Sequence, residues 1–222
     1  MTSDRLSKGI KEFLLSKEPD YFYVGASFLL VLVLVTRMVR SMLEGWSAIY
    51  DITFNAYGVV VYAVAAVLFF RRVVPKRIAA LKDNIIPFLS FVSPAAMIFL
   101  GGYVPLVASF PIVSILLYIT GCGLAVASFL SLGKGFGVLP AIRRVATGGP
   151  YRYIRHPAYL GEGLYAIGIM LFRVNWMTGF ILVVTIVLGL MRILIEERVM
   201  SRSPEYKKYC KRTRSRLIPG LW

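Results

Sequence analysis

The sequence predicts an all-α, polytopic helical integral membrane protein of about five to six transmembrane helices, with a tight C-terminal helical hairpin. Three observations carry this prediction. Fifty-eight per cent of the 222 residues are hydrophobic, against roughly 45–50% in soluble domains, and the mean hydropathy is +0.70. The apolar residues gather into six runs, to be measured against the ~20 residues a helix needs to cross hydrocarbon. If all six cross, every one of the 26 Lys and Arg residues except Arg37, Arg40 and Arg173 falls on the same side.

Residues 1–20 are charged and lack a small-residue cleavage site, so no cleavable signal peptide is expected. Leu6, Ile10, Phe13 and Leu14 repeat there at helical spacing, which suits a short interfacial helix. Residues 21–131 read as four transmembrane helices, in the apolar runs Phe22–Val39, Ile52–Phe70, Ile85–Val104 and Ile112–Leu130. Gly121-Cys122-Gly123 lies inside the fourth run, where small residues allow close helix contact.

Residues 132–222 read as a further region, with a helical hairpin and a cytoplasmic tail. Gly133-Lys134-Gly135-Phe136-Gly137 lacks Walker spacing and follows a helix instead of a strand, so it is expected to be a flexible exit from the span. Residues 133–156 are rich in glycine and arginine and read as loop, after which Pro157 suits the first turn of a helix. The run Tyr159–Phe172 is short for a span and is joined to Met177–Ile195 only by residues 173–176. That spacing predicts the tight hairpin, which either crosses or turns back where protein or water covers its polar turn. Arg192, Glu196 and Glu197 follow the last run on a helix leaving the bilayer, and Arg192 and Glu196, four apart, can pair. Ser203-Pro204 breaks that helix and starts a short one carrying Tyr206 and Tyr209.

Positive charge on one side places both termini and the His156 segment in the cytoplasm. The basic residues border spans and are interleaved with apolar ones, which favours anionic lipid headgroups over nucleic acid as their partners. Cys122 in a span and Cys210 in the basic tail imply neither a disulfide framework nor a metal site.

The segment Gly149–Gly161, G-P-Y-R-Y-I-R-H-P-A-Y-L-G, holds the only histidine, His156. Polar groups beside hydrocarbon are costly unless engaged. The helix start at Pro157 offers free N–H groups and a partial positive charge to a carboxylate or phosphate, reinforced by Arg152 and Arg155. Lipid anchoring by the arginines and helix capping by His156 are the plain alternatives. Glu196 and Glu197 need partners too: Arg192 and Arg198, or a ligand's cationic or hydroxyl groups, or a proton. The tyrosines suit either an interfacial belt or the walls of an adenine pocket.

Leu139-Pro140-Ala141-Ile142-Arg143 and Thr147–Gly161, followed by Arg192-x-x-x-Glu196-Glu197, Tyr206-x-x-Tyr209 and Leu217-Ile218-Pro219-Gly220, together resemble the isoprenylcysteine carboxyl methyltransferase and phospholipid methyltransferase group. The resemblance covers the C-terminal 90 or so residues. It implies that residues 132–222 are the catalytic and cofactor-binding region of an S-adenosylmethionine-dependent enzyme with a cytoplasmic cofactor pocket, which methylates a lipophilic acceptor from the bilayer such as an isoprenylcysteine carboxylate or a lipid headgroup. Carried over residue by residue, it implies cofactor contacts at Tyr151, Arg155, His156, Tyr159, Leu160, Gly161 and Glu197, and catalytic roles for Arg192, Glu196 and Glu197. The chain departs from that group in having Ser203-Pro204-Glu205 before Tyr206, where Phe-Gly is usual. It also has Glu162 after Gly161, and membrane sterol reductases share a similar R-H-P-x-Y-x-G-E run and an I-P-G ending. An NADPH-dependent reductase with Arg152 and Arg155 on phosphate is therefore the alternative. The L-P-x-x-R…T-x-G-P-Y run and the short chain favour methyl transfer. A non-catalytic lipid-binding or transport protein ranks third, since transport puts polar elements near mid-membrane and here they cluster at one face.

Overall fold

A computed structural model of the protein describes residues 25, 27–37, 39, 48–71, 85–100, 111–137, 144–172 and 174–222. The expected interfacial helix in residues 1–20 and the Leu139–Arg143 motif lie outside the described residues. Helices build the fold: α1 Ser27–Arg37, then α2 Ala48–Arg71, α3 Ile85–Leu100, α4 Pro111–Leu132, α5 Pro157–Phe172, α6 Trp176–Met200 and α7 Pro204–Arg212. Among the described residues there is no strand. The chain is an all-α integral membrane protein. Among the described residues, three stretches, Ile52–Phe69, Ile112–Gly135 and Trp176–Met200, are long and apolar enough to cross a membrane, while α1, Ile85–Pro94 and α5 are shorter apolar helices. The 16 residues of α5 rise only about 24 Å, less than the ~30 Å of a hydrocarbon core.

Local sequence sets the helix starts. Proline, whose missing N–H costs nothing in a first turn, opens α4, α5 and α7. Asn175 opens α6 through a reciprocal capping box: its Oδ1 accepts from Thr178 N at 2.9 Å, and its own N–H donates to Thr178 Oγ1 at 3.2 Å. With α5 ending at Phe172, this cap makes the turn of the expected hairpin. The two helices then part, α5 packing chiefly on α4 and α6 on α3.

The α4–α5 contact is a backbone seam. Gly121 and Ala125 on α4 face Gly161 on α5, and Ser114 and Tyr118 face Gly168. A Cβ on Gly161 would stand 2.7 Å from both Ala125 N and Gly121 O, so the helices touch at a distance only small residues permit. Ser114 Oγ donates to the Gly168 carbonyl at 2.7 Å within the same seam. Around it lies an aromatic layer: Tyr118 and Tyr165 stack edge to face, and Phe54 packs between Tyr118 and Phe172.

The exit from α4 differs from expectation. Gly133, at φ +49°, turns the chain through a 3-10 turn, Gly133–Gly135. Phe136 is then buried between Phe69 and Phe129, with ring centroids 5.0 Å away on each side. Burial of one aromatic pins a segment whose glycines alone suggested freedom. This turn, the start of α5, the end of α6 and all of α7 meet at one end of the helices.

Candidate active site

Gly149, at φ +57°, packs against Ser131 where a side chain would not fit. It opens a 3-10 turn, Gly149–Arg152, that buries Tyr151 and leaves Tyr153 exposed. Tyr151 joins Tyr206 and Tyr209 of α7 in a buried cluster, with Tyr209 Oη donating to the Tyr151 carbonyl at 2.7 Å. Burial raises the Tyr151 phenol and pushes that of Tyr209 up to about 12, so both are protonated at neutral pH. The C-terminal tail returns beneath this turn. Ser215 and Arg216 carbonyls accept from Arg155 N at 3.0 Å and His156 N at 2.9 Å, which leaves fewer N–H groups for an anion at this helix start than the sequence offered.

The adjacent acids at the end of α6 serve two different networks. Glu197 Oε1 lies 2.6 Å from Arg155 Nη1 and 3.2 Å from His156 Nε2, while Oε2 accepts from Arg216 Nε at 2.8 Å. Burial works against the Arg155 charge, but the Glu197 carboxylate outweighs it and holds the guanidinium above its ordinary pKa. Glu197 thus ties the Arg155-His156 segment, α6 and the tail together. Its partners are not the neighbouring Arg198 that the sequence suggested, because Arg198 points away into exposure. Glu196 instead accepts from the Tyr159 hydroxyl and lies 3.4 Å from Arg192 Nε. The Arg192 guanidinium sits over the Tyr159 ring, 4.8 Å from its centroid, and is only 5% exposed.

These groups border a cleft with a cavity volume of about 110 Å³ that opens to solvent at its mouth. Of the residues the sequence nominated, Tyr151, Arg155, His156, Tyr159, Arg192 and Glu196 line it. Glu197 stands behind Arg155 and His156. Leu160 is half-buried outside the lining, and Gly161 is occupied by the α4 seam. The sequence did not nominate Phe129, Phe136, Arg144 or Glu162, which also line the cleft, nor Arg216. Glu162 carried a signal, as the one charged residue in α5. Arg216 carried none that separates it from its basic neighbours. Among the described residues, no group of three or more His, Cys, Asp or Glu side chains is placed to hold a metal ion.

Residues 110–207, from the start of α4 into α7, match the family model for phospholipid methyltransferase. This part of the chain belongs to the phospholipid methyltransferase family. No curated protein matches the chain. The phospholipid methyltransferase match reaches back over α4, beyond the boundary at residue 132 expected from motifs. It takes in every cleft residue named here except Tyr209. The matched stretch is therefore similar to membrane methyltransferases.

Proposed function

We propose that this protein transfers a methyl group from S-adenosylmethionine to a lipophilic acceptor that arrives from the bilayer, in a cleft at the cytoplasmic face. The observation that carries the reading is the joining of the two sequence signatures at one cleft: Tyr159 of the first donates to Glu196 of the second, with Arg192 held against both. The cytoplasmic assignment rests on the one-sided Lys and Arg distribution.

The chemistry of the lining suits such a donor. Tyr151, Tyr206, Phe129 and Phe136 offer aromatic faces for a purine, Arg144 and Arg155 suit a carboxylate, and Glu196 suits an ammonium. When bound, the donor supplies a methyl group on a positively charged sulfur. In-line displacement at such a methyl needs chiefly near-attack placement, and the chain's residues are arranged for holding. Glu197, engaged with Arg155, Arg216 and His156, fixes one wall against α6. The Tyr159–Glu196–Arg192 group fixes the other and presents a cation that can orient an anionic acceptor. An acceptor that must lose a proton needs a carboxylate within reach, and Glu196 is the one among the nominated pair that faces the cleft.

The test is purified protein in nanodiscs, offered methyl-labelled S-adenosylmethionine or labelled NADPH. Binding of the first and passage of its label into the lipid fraction are expected. Binding of NADPH alone, with its hydride reaching lipid, would replace this reading by the reductase.

A further inference from the structure

We infer that the tail loop, residues 215–222, docks on anionic lipid headgroups at the bilayer surface beside α6, and that this contact holds the Glu197 wall of the cleft in place. The loop has a structure of its own. Gly220, at φ +78°, turns the chain back on itself. The Trp222 carbonyl then accepts from Arg216 N at 2.7 Å and from Leu217 N at 3.1 Å, and Gly220 N donates to Ser215 Oγ at 3.1 Å. This closed loop nevertheless leaves Ile218, Leu221 and Trp222 46%, 76% and 38% exposed. A fixed loop that presents three large apolar side chains to its surroundings marks a contact surface.

Its place on the fold identifies the partner. Phe180, Val183, Val187, Leu190 and Leu194 recur along α6 at spacings of three and four, and all are at least 38% exposed, so they form the edge that this span turns to lipid. Glu197 continues that edge three residues beyond Leu194, and there the tail covers it. Arg216 Nε donates to Glu197 Oε2 at 2.8 Å, and the Arg216 guanidinium sits 5.1 Å from the Trp222 ring centroid. The loop therefore lies about one helical turn past the lipid-facing residues, at the level of the headgroups, where tryptophan is enriched. From residue 198 to 222 the sequence carries eight Lys and Arg against one acid, Glu205. Arg198, one turn after Leu194 on the same edge, and Arg202, one turn further, are both exposed. Apolar side chains set among unopposed cations at that depth fit an anionic lipid surface, to which each such cation strengthens attraction about fivefold.

The dock bears on the cleft through bonds already in place. The Ser215 and Arg216 carbonyls accept from Arg155 N and His156 N, and Arg155 Nη2 donates to the Arg214 carbonyl at 3.0 Å. Arg155 and His156 line the cleft, so a loop pinned to headgroups keeps the cleft's wall closed, and a loop lifted into water takes Arg216 away from Glu197. This coupling holds whichever donor the cleft takes.

The full chain carrying Trp46→Phe and Trp176→Phe keeps Trp222 as its only tryptophan and reports on the loop from nanodiscs of phosphatidylcholine, with or without phosphatidylserine. In the mixed discs, lipids spin-labelled at the headgroup should quench Trp222 more than lipids labelled at the chain end. Acrylamide in the water should quench it about fivefold less than in phosphatidylcholine alone, a difference that high salt removes. Hydrogen exchange at the amides of Arg155, His156, Arg216 and Leu217 should slow by a similar factor. Arg198→Gln with Arg202→Gln, and separately Ile218→Ser with Leu221→Ser, should abolish these differences; unchanged exchange in α4 and α5 shows that the variants are folded. Trp222 equally open to acrylamide in both discs overturns the proposal. Trp222 shielded from acrylamide yet unquenched by headgroup labels does so too, by giving the surface to a second copy of the chain or another protein. Arginine variants that behave as wild type overturn the anionic partner, and headgroup quenching with unaltered exchange at Arg155 and His156 overturns the coupling to the cleft wall.

Discussion

Replacing Gly161 with alanine tests whether this glycine serves helix packing or the ligand. The added methyl would lie 2.7 Å from Ala125 N and 2.7 Å from Gly121 O, where ordinary contact begins at 3.4 Å. Both obstacles are backbone atoms of α4, so no rotamer change relieves the clash and the helices must separate by about 0.7 Å. Overpacking of this kind costs about 1–3 kcal/mol. The displacement also passes to Tyr159 and Glu162, two residues before and one after, while Glu196 stays with α6 against α3. Misplacement approaching 1 Å costs about 10²-fold in rate. Gly163→Ala is the matched control, since a Cβ there meets nothing within 4 Å; it should be neutral or stabilising by up to about 1 kcal/mol, the helix-propensity gain of alanine. Thermal unfolding in one detergent, with donor binding by calorimetry, reads both effects. Gly161→Ala should unfold several degrees lower and bind and turn over poorly, and Gly163→Ala should do neither. A Gly161→Ala protein of unchanged stability that has lost donor binding would refute the packing argument and return Gly161 to the cofactor contacts that the family resemblance implies.

Glu197→Gln leaves Arg155 and Arg216 without their carboxylate, and breaking a buried pair in this way costs about 3–5 kcal/mol. Donor binding should be abolished and the tail should become cleavable by trypsin after Arg214 and Arg216; unchanged affinity with a protected tail contradicts the tie. Arg192→Lys keeps the charge but loses the planar fork and the stacking on Tyr159, so turnover should fall about 10²-fold with donor affinity retained. Tyr209→Phe removes the bond to the Tyr151 carbonyl, a loss of about 1 kcal/mol measurable by thermal melting. Since the Tyr209 phenol is raised from 10.0 to about 12, its contribution is whole below pH 10 and is lost as pH rises through about 12. The stability gap between wild type and Tyr209→Phe should close over that window and stay constant below it.

Much of this was legible because membrane chains write their constraints in single residues. Pro157 and Pro204 mark helix starts by their missing N–H, and Gly121 marks a close crossing by its missing side chain. Arg192 and Glu196 pair because helical spacing allows little else. What escaped depends on distance in space. Glycines in residues 133–137 suggested freedom, but the burial of Phe136 against Phe69 is a long-range event that no local pattern records. Gly161 belongs to the same R-H-P-x-Y-x-G motif as His156, and nothing in the motif says that one end faces the cleft and the other faces α4. The pairing of Arg216 with Glu197 needs the tail to return to the start of α5, a path held by backbone bonds from Arg155 and His156 and by the Arg155 side chain on the Arg214 carbonyl.

The adjacent acids show how one motif divides its labour. Neighbouring residues on a helix point about 100° apart, so Glu196 and Glu197 cannot serve the same surface. One phase meets Tyr159 and Arg192 at the cleft; the other meets Arg155, His156 and Arg216 behind the wall. A substitution at either can silence the enzyme, but by different routes. Loss of Glu197 frees the tail and the 155–156 segment, and so acts on everything that wall holds. Loss of Glu196 leaves the wall standing and releases Tyr159 and Arg192. The identity of the acid therefore matters less than the helical phase that aims it, and exchanging the two networks would require turning α6 about its axis, which its packing on α3 opposes.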